Sequence, residues 1–156
     1  WVRRFGTGTP EAALSHLISL VVAYLLALPI GWNREREERS AGLRTFPLVS
    51  MAACGFVMIA IEVLSAGSEQ HSRILEGLIT GIGFVGGGAI LKQGDRARGT
   101  ATAASLWATG AMGAAVGYGQ LDIAVILSLA TVFTLVVLTP LRKVVQEHSS
   151  FDDDAA

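Results

Sequence analysis

The chain has 156 residues, of which 51% are hydrophobic and 16% are charged, and its formal net charge is −1. This length allows one domain, and the near-neutral balance excludes a basic nucleic-acid-binding protein and an acidic disordered chain. The charges are grouped, which leaves five long blocks without Asp, Glu, Lys or Arg: residues 12–33, 45–61, 77–91, 99–121 and 123–141. A helix needs about 20 apolar residues to cross a bilayer. The sequence therefore predicts an all-α integral membrane protein with five transmembrane helices.

The first predicted helix begins at Thr9-Pro10-Glu11, where Thr9 can cap, Pro10 suits the first turn and Glu11 complements the helix dipole. The predicted helices cover residues 10–32, 46–64, 74–91, 99–118 and 123–141. Their short connections favour antiparallel packing of sequential helices. These helices divide the chain into three predicted segments: an N-terminal extracytoplasmic segment (1–11), a transmembrane domain (12–142) and a cytoplasmic, disordered tail (143–156).

The distribution of Lys and Arg predicts the orientation. Cytoplasmic loops of membrane proteins are enriched in these residues. Nine of them fall on one side of the predicted helices: Arg34, Arg36, Arg39, Arg44, Lys92, Arg96, Arg98, Arg142 and Lys143. The other side has three, namely Arg3, Arg4 and Arg73. The N-terminus is therefore predicted to lie outside and the C-terminus in the cytoplasm.

The third block is rich in glycine, and residues 81–86 match the pattern G-x-G-x-x-G. A dinucleotide-binding interpretation requires a preceding strand and an acidic residue about 20 positions later, and this block has neither. Glycines four residues apart instead let membrane helices approach closely. This favours central burial of the third and fourth helices, against each other or across a dimer. A local break that lines an ion or substrate path is the alternative. The candidate positions for packing or for a path are Gly81, Gly83, Gly86, Gly87 and Gly88.

Polar residues also gather at the predicted cytoplasmic mouths of the helices: Asn33, Arg34, Arg44, Thr45, Arg98 and Thr102. The first loop, 33–45, alternates in charge, which is typical of a solvated face. Three arginines at one depth would repel each other unless they meet carboxylates, carbonyls or phosphates. They act either as generic membrane anchors or as a site for anionic lipid or a protein partner.

No group of residues in the sequence indicates an enzyme, a metal centre or a cofactor site. The five blocks carry no carboxylate, although Mg²⁺ prefers oxygen ligands that include carboxylates. Ser105 and Thr109 are predicted to bond to their own helix backbone. The single cysteine, Cys54, excludes an intrachain disulfide.

Five stretches together resemble the membrane domain of the MgtC/SapB family. In chain order they are Gly31-x-x-Arg34-Glu35, Ala41-Gly-Leu-Arg-Thr45, Ser72-Arg73-Ile74, Gly81-Ile-Gly-Phe-x-Gly-x-Gly88 and Arg98-Gly-x-x-Thr-Ala-Ala-x-Leu-Trp107. The resemblance covers residues 13–142. It departs at Asn33, where the family usually has Glu, and at Thr100-Ala101, where it has Leu followed by Thr or Asn.

The resemblance implies a bacterial inner-membrane protein of magnesium homeostasis, and in some relatives a role in virulence. It implies action through membrane protein contacts, such as restraint of the F-type ATP synthase, by a homodimer. The alternative is a transporter of Mg²⁺ or another small solute, with a path along the glycine-rich third helix. The expected partners are the bilayer, anionic lipid on the cytoplasmic side, a second copy and a membrane protein; no nucleic acid is expected.

Overall fold

The structure is a computed structural model that describes residues 9–37, 41–64, 69–93 and 96–153. Its elements are α1 (Pro10–Arg36), α2 (Thr45–Val63), α3 (Glu69–Gly88), β1 (Leu91–Gln93), β2 (Arg96–Arg98), α4 (Thr100–Gly117) and α5 (Leu121–Asp153). The predicted helical architecture is thus confirmed, with one short hairpin added. Within the described ranges, α1, α2 and residues 121–138 of α5 are long and apolar enough to cross a membrane.

The start of α1 follows from its sequence. The Thr9 side chain accepts a hydrogen bond from the Ala12 backbone N–H at 3.2 Å, and Pro10 stands in the first turn. The helix continues one turn past Trp32, and the Glu37 N–H bonds to the Asn33 carbonyl at 3.3 Å. Asn33 and Arg34 are therefore part of the helix and are held at fixed positions on it.

The centre of the bundle is α4, which contacts each of the other four helices. Nine of its 18 residues are buried. A Cβ atom on Gly113 would collide with the Ser50 carbonyl oxygen, and one on Gly117 would lie 2.9 Å from the Cys54 carbonyl oxygen. Glycine at these two positions lets the α2 and α4 backbones approach closely, as small residues do between membrane helices. The predicted central position of α4 is confirmed.

Two buried serine hydroxyls join α1 to its neighbours. Ser50 of α2 donates to the Ala23 carbonyl at 2.8 Å, and Ser128 of α5 donates to the Leu26 carbonyl at 2.8 Å. A buried hydroxyl without a partner would cost free energy, so these bonds favour one alignment of the helices. Apolar side chains fill the space around them, the largest being Phe46, Ile30, Leu106, Met112 and Val57.

The prediction that α3 is central is wrong within the single chain, because α3 lies at the edge of the bundle. Only Ile82 and Gly86 are buried among its 20 residues. Ile82 fills the space beside Gly110, and a Cβ on Gly86 would lie 3.2 Å from the Ala103 carbonyl oxygen. One narrow face of α3 therefore meets α4, a second side approaches α2, and the rest of the helix surface is exposed.

The ends of α3 also differ from the prediction. The helix begins at Glu69 rather than near residue 74 and ends at Gly88. The Ala89 and Ile90 N–H groups bond to the Gly86 and Gly87 carbonyls at 3.0 and 3.1 Å, which tightens the last turn. The glycine run thus ends the helix three residues before the predicted end at residue 91, so the interruption considered as the alternative lies at the end of α3.

The connection from α3 to α4 is an antiparallel hairpin in which Leu91 pairs with Arg98. A two-residue Gly-Asp sequence, 94–95, separates the strands and is a recognised hairpin signal. Gly99 follows with a φ of +93°, and a Cβ there would collide with the Ala89 carbonyl oxygen. Glycine is therefore required where the chain turns from the hairpin into α4.

The predicted disordered tail is also corrected, because α5 continues to Asp153. Residues 143–153 contain no glycine or proline, the two residues that most disfavour a helix. The loss of apolar periodicity after residue 142 marks the limit of the apolar stretch rather than the end of the helix. Most of the predicted N-terminal segment, 1–8, and residues 154–156 lie outside the described residues.

Gly113→Ala should destabilise the fold by about 2 kcal/mol, since overpacking of a close helix contact costs about 1–3 kcal/mol. Thermal unfolding in detergent, followed by circular dichroism, measures this change. Gly83→Ala is the matched control on a helix, because its added Cβ would meet nothing within 4 Å. Equal stability of the two variants would contradict the packing described for α2 and α4.

Candidate functional site at the arginine end of the bundle

The predicted polar residues gather at one end of the bundle, where α1 ends, α2 and α4 begin and the hairpin lies. We call it the arginine end and define it by Asn33, Arg34, Arg44, Thr45, Arg98 and Thr102. Of these six residues, Asn33 and Arg34 were predicted in the first loop but lie in the last turn of α1, and Arg98 lies in β2 just before α4. Their burial differs sharply, and this divides them into an inner pair and an outer rim.

The turn from α1 to α2 is held against α1 by close backbone contact. A Cβ on Gly31 would lie 3.2 Å from the Gly42 carbonyl oxygen. That oxygen accepts hydrogen bonds from the Thr45 and Phe46 N–H groups at 3.0 and 3.2 Å. Phe46 is then fully buried in the core. The first glycine of the family motif and the glycine of Ala41–Thr45 thus meet in space.

Glu35 also fixes this turn, and the sequence prediction did not include it in the site. Its Oε2 accepts a hydrogen bond from the Leu43 N–H at 3.0 Å. Gly42 is needed beside it, because a Cβ there would collide with the same carboxylate oxygen. The signal was present in the Gly31-x-x-Arg34-Glu35 motif. In the sequence Glu35 appeared to be one more charge in an alternating run.

Arg34 is the buried cation of the site, with 2% of its surface exposed. Its Nε and Nη2 atoms donate to the Asn33 Oδ1 at 3.2 and 2.6 Å. Asn33, which replaces the family's usual Glu, therefore still supplies an acceptor oxygen to the guanidinium. The substitution removes a charge from this end while keeping an acceptor.

Thr102 is the second buried member, with 1% of its surface exposed. Its depth follows from the helix contacts: Ala23, Ser50 and Gly113 lie at one level, since Ser50 bonds to Ala23 and abuts Gly113. Arg34 and Thr102 are each eleven residues from that level, along α1 and α4, which is about 16 Å of helix. The structure therefore places Arg34 and Thr102 at the same depth.

Hydroxyl groups continue from Thr102 along α4. Ser105 donates to the Thr102 carbonyl at 2.9 Å, and Thr109 donates to the Ser105 carbonyl at 2.7 Å. Both side chains are buried. The prediction that they bond to their own helix is confirmed.

Arg44 and Arg98 form the exposed rim. Arg44 is the residue before α2 and makes no side-chain capping hydrogen bond, and Arg98 is the last residue of β2. Both side chains are exposed, whereas Thr45 is half-buried. The three arginines therefore do not share one environment, because Arg34 is buried while Arg44 and Arg98 are exposed. An anion or an acidic surface could reach Arg44 and Arg98 from outside the bundle.

The glycine candidates on α3 do not belong to this site. Gly81 lines an apolar groove of about 540 Å³ between α2 and α3, together with Val49, Phe56, Ala60, Ile74 and Val85. Gly83, Gly87 and Gly88 face open space, and only Gly86 contacts α4. The residues that line the groove are apolar, so the groove suits an apolar occupant rather than a hydrated ion.

Titratable groups also meet at the opposite end, where His16 of α1 and Glu62 of α2 lie 3.1 Å apart. Both side chains are substantially exposed. Among the described residues, no group of three or more His, Cys, Asp or Glu side chains is arranged to hold a metal ion. His16 and Glu62 thus form one exposed pair of titratable side chains at this end of the bundle.

These features define a helical membrane protein with a basic end built from one buried and two exposed arginines. The MgtC family profile matches residues 20–144, and the chain belongs to this family. No solved structure matches the chain at a significant level.

Three curated relatives illustrate the similarity. Protein MgtC of Brucella abortus is 40% identical over 127 residues, which are 81% of this chain and 51% of the relative. Protein SrpB of Synechococcus elongatus is 36% identical over 136 residues, 80% of this chain and 73% of the relative. Protein MgtC of Salmonella typhimurium is 36% identical over 105 residues, 67% of this chain and 44% of the relative. The chain thus spans about half the length of the two MgtC proteins.

Arg34→Ala should lower the free energy of unfolding by roughly 2–3 kcal/mol, because it removes buried packing and charge-assisted hydrogen bonds. Arg36→Ala is the control, since that side chain is exposed two residues away on the same helix. Thermal unfolding of both variants in one detergent measures the difference. Similar melting temperatures would show that the buried guanidinium does not stabilise this end.

Proposed function

We propose that this chain is a non-enzymatic inner-membrane protein of magnesium homeostasis that acts by contact with other membrane proteins. Its membership of the MgtC family supports the link to magnesium. The F-type ATP synthase is the partner that the family resemblance implies. Virulence would be a consequence of this role in bacteria that meet low magnesium inside a host.

The proposed topology has five spans, with the N-terminus outside and the C-terminus in the cytoplasm. The nine-to-three division of Lys and Arg supports it. With 20 and 18 residues, α3 and α4 are about 30 and 27 Å long, enough for the hydrocarbon core. The surrounding helices keep the buried Thr and Ser residues of α4 away from lipid, so α4 needs less apolar sequence of its own to span.

The hydrogen bonds of the interior hydroxyl groups support a function by protein contact rather than by transport. Ser50, Ser105, Thr109 and Ser128 each donate to a backbone carbonyl inside the bundle. The buried polar residues of the described chain are these four with Arg34 and Thr102, and no carboxylate is among them. A path for Mg²⁺ would need oxygen ligands, usually with carboxylates. This interior therefore favours a rigid bundle whose surfaces make the functional contacts.

The rim of the arginine end is the surface best suited to such a contact. Arg44 and Arg98 are exposed and come from different connections, yet both lie beside the same mouth. Arginine binds carboxylates and phosphates through a planar fork, so the rim can bind an acidic protein segment or an anionic headgroup. Glu35 and Gly42 hold the turn that carries Arg44, which fixes the rim relative to α1.

The topology is tested with single cysteines in a Cys54→Ala background. Ala97→Cys and Gln120→Cys lie in the connections at opposite ends of α4, and both positions are exposed. A membrane-impermeant maleimide should label Gln120→Cys in intact spheroplasts and Ala97→Cys only after lysis. Labelling of both cysteines from the same side would contradict the proposed topology.

The function is tested by growth in low magnesium with variants that insert normally. Arg44→Ala and Arg98→Ala should each reduce complementation by at least tenfold, because each removes one of the two exposed guanidinium groups of the rim. The control Arg36→Ala, at an exposed position on α1, should complement fully. Equal defects in all three variants would indicate a generic anchoring role. Mg²⁺ flux through purified protein in vesicles, above that of empty vesicles, would instead favour the transporter.

A further inference from the structure

A slot of about 460 Å³ lies beside α4, between α3 and the start of α5. On α4 it runs from Trp107 to Tyr118, and small residues form its floor: Gly110, Ala111, Ala114 and Ala115. Apolar side chains form its walls: Leu75, Leu78, Ile79, Ile82 and Ile123. The slot is therefore narrow, smooth and apolar along its length.

The depth of the slot matches one leaflet of a bilayer. Trp107 and Tyr118 are eleven residues apart on α4, which is about 16 Å of helix. One leaflet contributes about 15 Å of the hydrocarbon core. The proposed topology sets Tyr118 at the outer surface, where tyrosine rings commonly lie at the level of the headgroups. Trp107 then lies near the middle of the bilayer, where the acyl chains of the outer leaflet end.

Three polar side chains surround the outer mouth of the slot: His71, Tyr118 and Gln120. Tyr118 and Gln120 line the slot directly. His71 precedes Leu75 by one turn on the same side of α3. It is half-buried, although Gln70 and Ser72 beside it are exposed. The His71 side chain is thus turned toward the bundle, above the walls of the slot.

The contact of Ile82 with Gly110 sets the relative depth of these groups. Counted from that contact, His71 lies about 16 Å and Tyr118 about 12 Å toward the outer end of the bundle. The two side chains are therefore within about one helix turn of each other in depth, at the level where headgroups meet the hydrocarbon.

The mouth offers hydrogen-bond donors that the fold does not use. Imidazole, phenol and carboxamide groups each carry at least one N–H or O–H donor. Within the part of the chain that the structure describes, the side chains of His71, Tyr118 and Gln120 make no hydrogen bond. A ligand with acceptor oxygens at one end and a long apolar part would complement both the mouth and the slot.

We propose that this slot binds a phospholipid of the outer leaflet. One acyl chain lies along the floor toward Trp107, and the ester and phosphate oxygens accept hydrogen bonds from His71, Tyr118 and Gln120. A helix 16 Å long and 10 Å across fills roughly 1,200 Å³, so a slot of about 460 Å³ admits an acyl chain and excludes a helix. The larger groove between α2 and α3 has no polar side chain among the residues that line it.

This lipid site goes beyond the proposed function and lies at the end of the bundle opposite Arg44 and Arg98. It uses the proposed topology only to assign the leaflet. Maleimide labelling tests that assignment separately, so a reversed topology and an empty slot give different results.

Trp107 reports occupation of the slot, because it lies at the inner end. In a Trp1→Phe, Trp32→Phe background it is the one tryptophan of the chain. Phosphatidylcholine with bromine near the end of one acyl chain is titrated into the protein in detergent, since bromine quenches tryptophan fluorescence at short range. Quenching should saturate at one lipid per chain and be reversed by unbrominated phosphatidylcholine. Quenching that never saturates would overturn the proposal and leave the slot to another occupant, such as a protein segment.

Filling the slot should abolish this quenching. Ala111→Leu places a larger side chain on the floor and should raise the dissociation constant about tenfold, since overpacking costs about 1–3 kcal/mol. Ala130→Leu is the matched control on α5, outside the slot, and should bind like the parent. Both positions are exposed, so both variants should keep the melting temperature of the parent. Equal affinities of the two variants would show that the lipid does not lie in the slot.

The mouth is tested with variants that leave the slot open. Tyr118→Phe and Gln120→Ala should each raise the dissociation constant of brominated phosphatidylcholine roughly fivefold, the effect of one net hydrogen bond. Neither should change the binding of a brominated alkane of the same chain length, which has no acceptor oxygen. If both variants bind phosphatidylcholine like the parent, or lose the alkane equally, the mouth does not hold a headgroup and the proposal is wrong.

Discussion

The close contact between α2 and α4 is the constraint on which the rest of this fold depends. Gly113 sits against the Ser50 carbonyl, and the Ser50 hydroxyl in turn bonds to the Ala23 carbonyl. Three backbones therefore meet at one level without a large side chain between them. In a membrane, where burial of apolar surface gives no advantage over lipid, packing of this kind and a few hydrogen bonds must supply the stability.

This level also fixes the geometry of the arginine end. Because α1 and α4 are aligned at Ala23 and Gly113, Arg34 and Thr102 arrive at one depth although 68 residues separate them in the sequence. Glu35 and the glycine contact at Gly31 then hold the next turn against the end of α1. The depth of Arg34 thus depends on the helix packing at Ala23, Ser50 and Gly113. The alternating charges of the loop do not determine it.

The parts of the fold that depend on composition could be predicted, and those that depend on contacts could not. The cap at Thr9 and the helices α1 and α2 follow from local sequence, and the structure confirms them. The glycines of α3 were misleading, since G-x-x-x-G spacing shows that a helix can approach another but does not say whether the other belongs to the same chain. The site was predicted in position and not in burial: Arg34 and Arg44 look alike in sequence, yet Arg34 is buried near the end of α1 and Arg44 is exposed before α2.

The hairpin between α3 and α4 has a mechanical consequence. Leu91 pairs with Arg98, and Gly99 is wedged against Ala89, so the end of α3 is tied to the start of α4. Along its length, α3 buries only Ile82 and Gly86, although it contacts both α4 and α2. The position of Arg98 at the basic mouth is therefore tied through the hairpin to the end of α3.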